Sequence, residues 1–185
     1  GLEIARTLAE RFGLPLYDKS ILQSAAEDRG VDPKSLEQYD ERPRSPLFYR
    51  SIKGFSSAPE DGVAQMQFDL LRRHAAAGES FVVLGRCAEE VLADYECLVS
   101  IFIEADLDFR IRRTPLPGNE ALEFIRRQDR RVYHDQHCKN DWGDAQSYDL
   151  VINSARLGVP GTADVLEHYI RARQAHLDGQ PAGMV

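Results

Sequence analysis

Three apolar runs rich in β-forming residues, each followed by a helical pattern, leave this chain few folds. They are FVVLG (Phe81 to Gly85), LVSIFIE (Leu98 to Glu104) and DLVIN (Asp149 to Asn153). Such runs predict strands buried on both faces, as in a parallel sheet. LPLYD (Leu14 to Asp18) reads as a further short strand ending in an acidic residue. Helical spacing links Leu2, Ile4, Ala5, Leu8, Ala9 and Phe12, and Gly13 is a natural stop. Further helices are predicted over 19–29, from Asp32-Pro33, over 62–77, 86–93 and 106–113, from Asn119 to about Cys138, and over 162–174. Strands alternating with helices imply an α/β fold, a parallel sheet with helices on both faces. The length of 185 residues suits one domain, expected over 1–178. Asp40 to Asp61, with Pro, Ser, Gly and scattered aromatics, reads as a mobile or inserted segment, and 179–185 as a disordered tail.

Charge narrows the function. A net charge of −7 argues against sequence-independent binding to nucleic acid or to an anionic membrane surface. No apolar run approaches the roughly 20 residues of a membrane span, and no signal peptide is visible. Cys87, Cys97 and Cys138 are odd in number and lack a CxxC spacing, so they read as reduced thiols of a cytoplasmic protein. His134 and Cys138 stand i, i+4 on one helix with His137 nearby. That spacing alone does not make a ligand set, and no metal site is assigned.

Ligands on a parallel α/β sheet bind beyond the carboxyl ends of its strands. Those ends carry Asp18, Gly85-Arg86, Glu104 and Asn153-Ser154. Asp18 suits a magnesium ion held through water, or a substrate hydroxyl; the alternative is an N-cap for the next helix. Gly85 allows close approach of a ligand and Arg86 can face an anion; the alternative is a tight turn with a surface arginine. Arg126, Arg127, Arg130 and Arg131 form two adjacent basic stripes on the predicted helix, without a lysine among them. Planar guanidinium forks suit phosphate and charge developing in phosphoryl transfer; the alternative is a solvated face paired with Glu123, Asp129 and Asp135. Arg110, Arg112 and Arg113 form a second, weaker cluster. Trp142, Tyr133 and Tyr148 are expected to pack the following loop on the sheet, and His74, His168 and His176 to be surface or structural.

At GLEIARTLAERFGLPLYDKSIL, FVVLGRCAEEVL and RRQDRRVYHD…YDLVINSARLG the chain resembles the cytidylate kinase-like family of P-loop nucleoside monophosphate kinases. The resemblance runs from Gly1 to about Ile170. It implies a three-layer P-loop kinase-like fold around a five-stranded parallel sheet, an acceptor subdomain near 30–75 and an arginine-bearing lid around 113–140. The implied reaction moves the γ-phosphate of ATP, bound with Mg2+, to a nucleoside monophosphate. Asp18 and Lys19 would then lie by the acceptor, Gly85 and Arg86 would bind its phosphate, and Arg127, Arg130 and Arg131 would clamp the phosphates. Gly1 and Arg110 would lie near the donor nucleotide.

Three departures stand out. Cys87 occupies the place of an aspartate that helps read cytosine in cytidylate kinases, and Ser24 that of an arginine, so the acceptor stays open between CMP and another monophosphate. The glycine-rich loop and the strand before it, the first central strand of the sheet, precede Gly1 in the family and are absent here. Their loss would leave backbone groups on two inner strands unpaired, each costing about 1–3 kcal/mol if buried. The chain as written is therefore expected to be a fragment that binds ATP poorly. A non-catalytic nucleotide-binding or regulatory domain, or a kinase of another small-molecule acceptor, are the competing readings.

Overall fold

The computed structural model describes residues 1–18, 21–37, 51–52, 55–56, 59–127 and 131–179, with the backbone alone at 37, 51–52, 55–56, 59–60 and 126–127. In chain order the elements are α1 (Leu2–Phe12), β1 (Leu16–Tyr17), α2 (Ile21–Asp28), α3 (Pro33–Glu37), β2 (Ser51–Ile52), β3 (Phe55–Ser56) and α4 (Pro59–Ala76). There follow β4 (Val82–Val83), α5 (Ala88–Val91), β5 (Ile101–Glu104), α6 (Leu107–Arg112), α7 (Gly118–Arg127), α8 (Arg131–His137), β6 (Leu150–Asn153) and α9 (Gly158–Asp178). The first helix ends at Gly13 as its periodicity predicts, and Asp32 Oδ1 accepts from the Lys34 N–H at the start of α3. α9 is longer than its periodicity suggested, beginning at Gly158 rather than Thr162. The Thr162 hydroxyl bonds back to the Gly158 carbonyl at 2.6 Å, so Thr162 lies one turn inside the helix instead of capping it. The predicted arginine helix is seen as α7 and α8; residues 128–130 lie outside the described residues, as do 40–50, 53–54 and 57–58 of the predicted inserted segment and the tail beyond Gly179.

Two parallel strand pairs carry the architecture. β1 pairs with β4, Tyr17 opposite Val83, and β5 pairs with β6, Ile103 opposite Ile152. β2 and β3 form a separate antiparallel pair. Among the described residues no ladder joins the two parallel pairs. The strands are half-buried rather than buried, and Val151 is 36% exposed. This corrects the prediction of strands covered on both faces. A strand with one hydrogen-bonded neighbour keeps a lateral edge open that a doubly flanked strand lacks.

Each pair has its own core. Ile4, Leu8 and Leu166 bring α1 and α9 together over Ile101, Ile103, Leu150 and Ile152. Ile21, Ala25, Leu70, Leu71, Ala88 and Leu92 pack α2, α4 and α5 against Tyr17 and Val83. α1 also touches β1 and β4, so it is the element shared by both halves. At its outer end Arg11 donates to Asp164 (2.8 Å) and Glu167 (2.9 Å) of α9. Trp142 packs edge-on against Phe102 of β5 at 5.3 Å between ring centres, so the loop after α8 is seated on the sheet as expected. Gly143 is required there: its φ is +78°, and a Cβ would meet the Phe102 ring at 3.1 Å.

Leu166 is fully buried where α1, α9 and the β5–β6 pair meet. Leu166→Ala should therefore lower unfolding free energy by about 2–5 kcal/mol in urea titration; a loss below 1 kcal/mol would mean this core is not the one described. A second prediction concerns the surface between α2 and α4, where Arg73 grips Asp28 through two hydrogen bonds of 2.9 and 2.6 Å. The Arg73 guanidinium holds the Asp28 carboxyl below its ordinary value. A carboxyl with a depressed folded pKa stabilises above its unfolded value, and that contribution fades as pH falls through the folded one. Carbon-detected NMR should show Asp28 titrating below a model aspartate, and Arg73→Ala should return it to the ordinary range.

Candidate functional site

The carboxyl ends of β1 and β4 lie side by side because the two strands are paired in register. The Leu84 N–H donates to the Tyr17 carbonyl at 2.8 Å, which places Asp18 next to Leu84 and Gly85. The N-terminus of α1 arrives at the same edge: a Cβ on Gly1 would sit 3.5 Å from the Leu84 side chain. Gly1 is the N-cap of α1, and no side chain caps that helix. Exposed N–H groups and the helix dipole make such an end suited to phosphate. Gly1, Asp18, Gly85 and Arg86, four residues nominated by sequence, are thus brought together.

The turn after β4 is conformationally unusual. Gly85, Arg86 and Cys87 have φ of +75°, +63° and +52°, three left-handed residues in succession. Only glycine takes that region readily, and the two side-chain-bearing residues each cost about 1–2 kcal/mol there. Such strain persists where surrounding packing holds it, and it concentrates at functional sites. Arg86 is 3% exposed, and its guanidinium lies over the Tyr133 ring at 5.7 Å. The alternative of a tight turn with a surface arginine is thereby overturned: the side chain is buried under α8, which the turn directs inward.

α8 sits over this turn through a second set of contacts. Cys87 and Tyr133 share an apolar cluster with Ala64 and Phe68 of α4. His134, almost wholly buried, shares a 3.0 Å hydrogen bond between Nε2 and Glu89 Oε1 of α5. Glu90 accepts from the Lys139 N–H at 2.7 Å. His137 packs at a tilt against Tyr133, 4.7 Å between ring centres, and faces Asp61 at 3.8 Å. The Cys138 thiol interacts with that of Cys87, and this contact, burial and the charges of Glu89 and Glu90 push its pKa far up. All three cysteines are free thiols.

The other nominated residues fall in different places. Arg131 opens α8 and is exposed. Arg127 closes α7, its side chain outside the described residues, as are Lys19 and Arg130 altogether. Arg110 is exposed on α6. Its neighbour Arg113 pairs with Glu3 in the first turn of α1 and lies over Phe109 at 5.6 Å. Glu104 and Asn153-Ser154 are occupied structurally: the Glu104 carbonyl accepts from both the N–H and the hydroxyl of Ser154 at 2.9 Å, and Asn153 donates to Asp106 at 3.1 Å. His74 is structural, stacked on Tyr17 at 5.2 Å and bonded through Nδ1 to Glu79 at 2.6 Å. Sequence reasoning missed the role of Tyr133 as the cover of Arg86 and the convergence of Glu89 on His134. The i, i+4 pair His134 and Cys138 was the only local signal of the latter.

Residues 1–156 match the model of the cytidylate kinase-like family, and the chain belongs to that family. A cytidylate kinase of Halobacterium salinarum is 25% identical over 187 residues, covering 96% of this chain and 87% of the relative. The crystal structure of an uncharacterised protein from Eubacterium ventriosum superposes with a TM-score of 0.70 at 30% identity, covering 92% of this chain and 91% of the other. The fold is kinase-like α/β, and the family is one of kinase-type phosphotransferases. Among the described residues no helix is long and apolar enough to cross a membrane.

The strained turn makes a direct prediction. Gly85→Ala places a Cβ at a φ of +75°, so it should destabilise the fold by about 1–2 kcal/mol in urea titration. A neutral result would show that the turn relaxes out of the left-handed region.

Proposed function

We propose that the protein is a phosphotransferase moving the γ-phosphate of ATP to a nucleoside monophosphate. The observation that carries this reading is the meeting of the α1 N-terminus, Asp18 and the Gly85-Arg86 turn at one strand edge, adjoined by α8. Phosphoryl transfer needs little covalent chemistry from a protein; it needs positioning and positive charge around the moving group. A helix N-terminus, two backbone-rich strand ends and a set of arginines supply both.

In this reading Gly1 and the first turn of α1 face donor phosphate, and Arg110 lies towards the donor nucleotide. Asp18 and Lys19 adjoin the acceptor, while Gly85 and Arg86 hold its phosphate. Arg127, Arg130 and Arg131 close from the lid, near 113–140, and the segment near 30–75 serves as acceptor subdomain. The Asp18 carboxylate is a hard oxygen donor of the kind Mg2+ prefers, directly or through water. Mg2+, when bound, neutralises charge on the transferred group. The unladdered gap between the β1–β4 and β5–β6 pairs supports a three-layer sheet completed by a central strand. A cytoplasmic setting, with nucleotides as the partners, belongs to the same reading.

The test is a coupled assay of the protein expressed from its complete reading frame, with ATP, Mg2+ and a panel of nucleoside monophosphates. Turnover with at least one of them is expected, and Arg131→Ala should lower kcat by about a hundredfold if it stabilises the transferred group. No turnover with any monophosphate would overturn the proposal. Unchanged kinetics in the variant would return Arg131 to a solvated helix face.

A further inference from the structure

The cluster between α5 and α8 has the donor set of a metal centre. Glu89 Oε1, His134 Nε2 and Cys138 Sγ lie within 4.8 Å of one another, drawn from two elements 45 residues apart. The individual separations are 3.0 Å from Nε2 to Oε1 and 4.0 Å from Sγ to Oε1. In a tetrahedral zinc site, with bonds of about 2.0 to 2.3 Å, ligand atoms stand about 3.3 to 3.8 Å apart. These two separations are within a few tenths of an ångström of that spacing, and the third, from Nε2 to Sγ, is within 4.8 Å. Cys138 also packs against the apolar cluster that holds the buried Cys87, so a second sulfur is close by.

We propose that Glu89, His134 and Cys138, with water or the nearby Cys87 in the fourth position, bind a zinc-class divalent cation that fastens α8 to the turn after β4. Sulfur, imidazole and carboxylate together suit Zn2+ and its spectroscopic substitute Co2+, and disfavour Mg2+ and Ca2+, which take oxygen ligands. The imidazole is prepared for the role. His134 is 2% exposed, its Nε2 points at the cluster, and its Nδ1 is buried without a hydrogen bond. Asp135 Oδ1 lies 3.7 Å from that Nδ1, the place of the carboxylate that commonly orients a metal-bound histidine. Cys138 is half-buried, which leaves a way in from solvent.

The site is distinct from the hard-metal chemistry of a nucleotide kinase. It holds the far side of the Gly85–Cys87 turn, where Cys87 follows directly on Arg86. Binding would thus couple the position of α8 to the turn that buries Arg86.

Titration of the metal-free protein with Co2+ alone, followed by absorption spectroscopy, tests the assignment. One equivalent should produce a thiolate-to-cobalt charge-transfer band in the near ultraviolet with intense visible bands of tetrahedral cobalt, and Zn2+ should bleach both. Cys138→Ser and His134→Gln should each weaken binding by about a hundredfold or more, while Cys97→Ser, altering an exposed cysteine outside the cluster, should bind as the parent does. Circular dichroism of each variant separates loss of the site from loss of the fold. If a variant does not fold, the parent and Cys97→Ser spectra decide alone. Absence of the charge-transfer band, a band that survives in folded Cys138→Ser, or weak octahedral spectra would overturn the proposal. So would a Cys87–Cys138 disulfide as the stable form of the freshly purified protein, since both sulfurs would then be unavailable.

Discussion

The succession of three left-handed residues, Gly85, Arg86 and Cys87, is the constraint on which the site depends. A strand that ran straight on would carry Arg86 into solvent and Cys87 away from α8. The reversal instead sends the guanidinium under Tyr133 and the thiol into the cluster with Ala64 and Phe68. Packing on both sides holds the turn in place: the β1–β4 pairing fixes its entry, and α5 fixes its exit. Strain stored in this way needs an over-determined surrounding, and the buried neighbours supply it. A local backbone choice thereby sets the relation between the strand edge and α8.

The same logic explains why the molecule's two cores matter to its chemistry. One core binds α1 and α9 to β5 and β6; the other binds α2, α4 and α5 to β1 and β4. α1 touches both halves, and its N-terminus is the end that reaches Leu84. Rigid elements on either side thus bring the α1 N-terminus, Asp18 and the Gly85–Arg86 turn to one strand edge, with the Arg86 guanidinium held under Tyr133. Positioning of this kind is what phosphoryl transfer asks of a protein. Membership in the cytidylate kinase-like family is consistent with that arrangement.

Much of this was legible in the residues. Continuous runs such as FVVLG and DLVIN marked the strands, because local apolar density and β-branching are properties of short windows. Strand ends then nominated Asp18, Gly85 and Arg86, since topology alone places ligands there. What stayed hidden was non-local or conformational. Glycine signals a left-handed residue, but nothing in Arg86 or Cys87 announces that they follow it into the same region. The half-exposure of the strands depends on which neighbours flank them, not on their own composition. Glu89 meets His134 only after the fold brings α5 and α8 together, so the i, i+4 pair His134 and Cys138 showed half of the cluster. The basic character of Arg127, Arg130 and Arg131 was plain; of their side chains only that of Arg131 lies among the described residues, exposed at the start of α8.

Binding of a phosphorylated acceptor at the strand edge of Asp18 and the Gly85–Cys87 turn is the proposal from which the other site roles follow. Amide-resolved NMR during titration with a nucleoside monophosphate measures this directly. The largest shift changes are expected at Asp18, Gly85, Arg86 and Arg131. Changes confined to the Asp28–Arg73 surface, or to the outer end of α1 and α9, would contradict it.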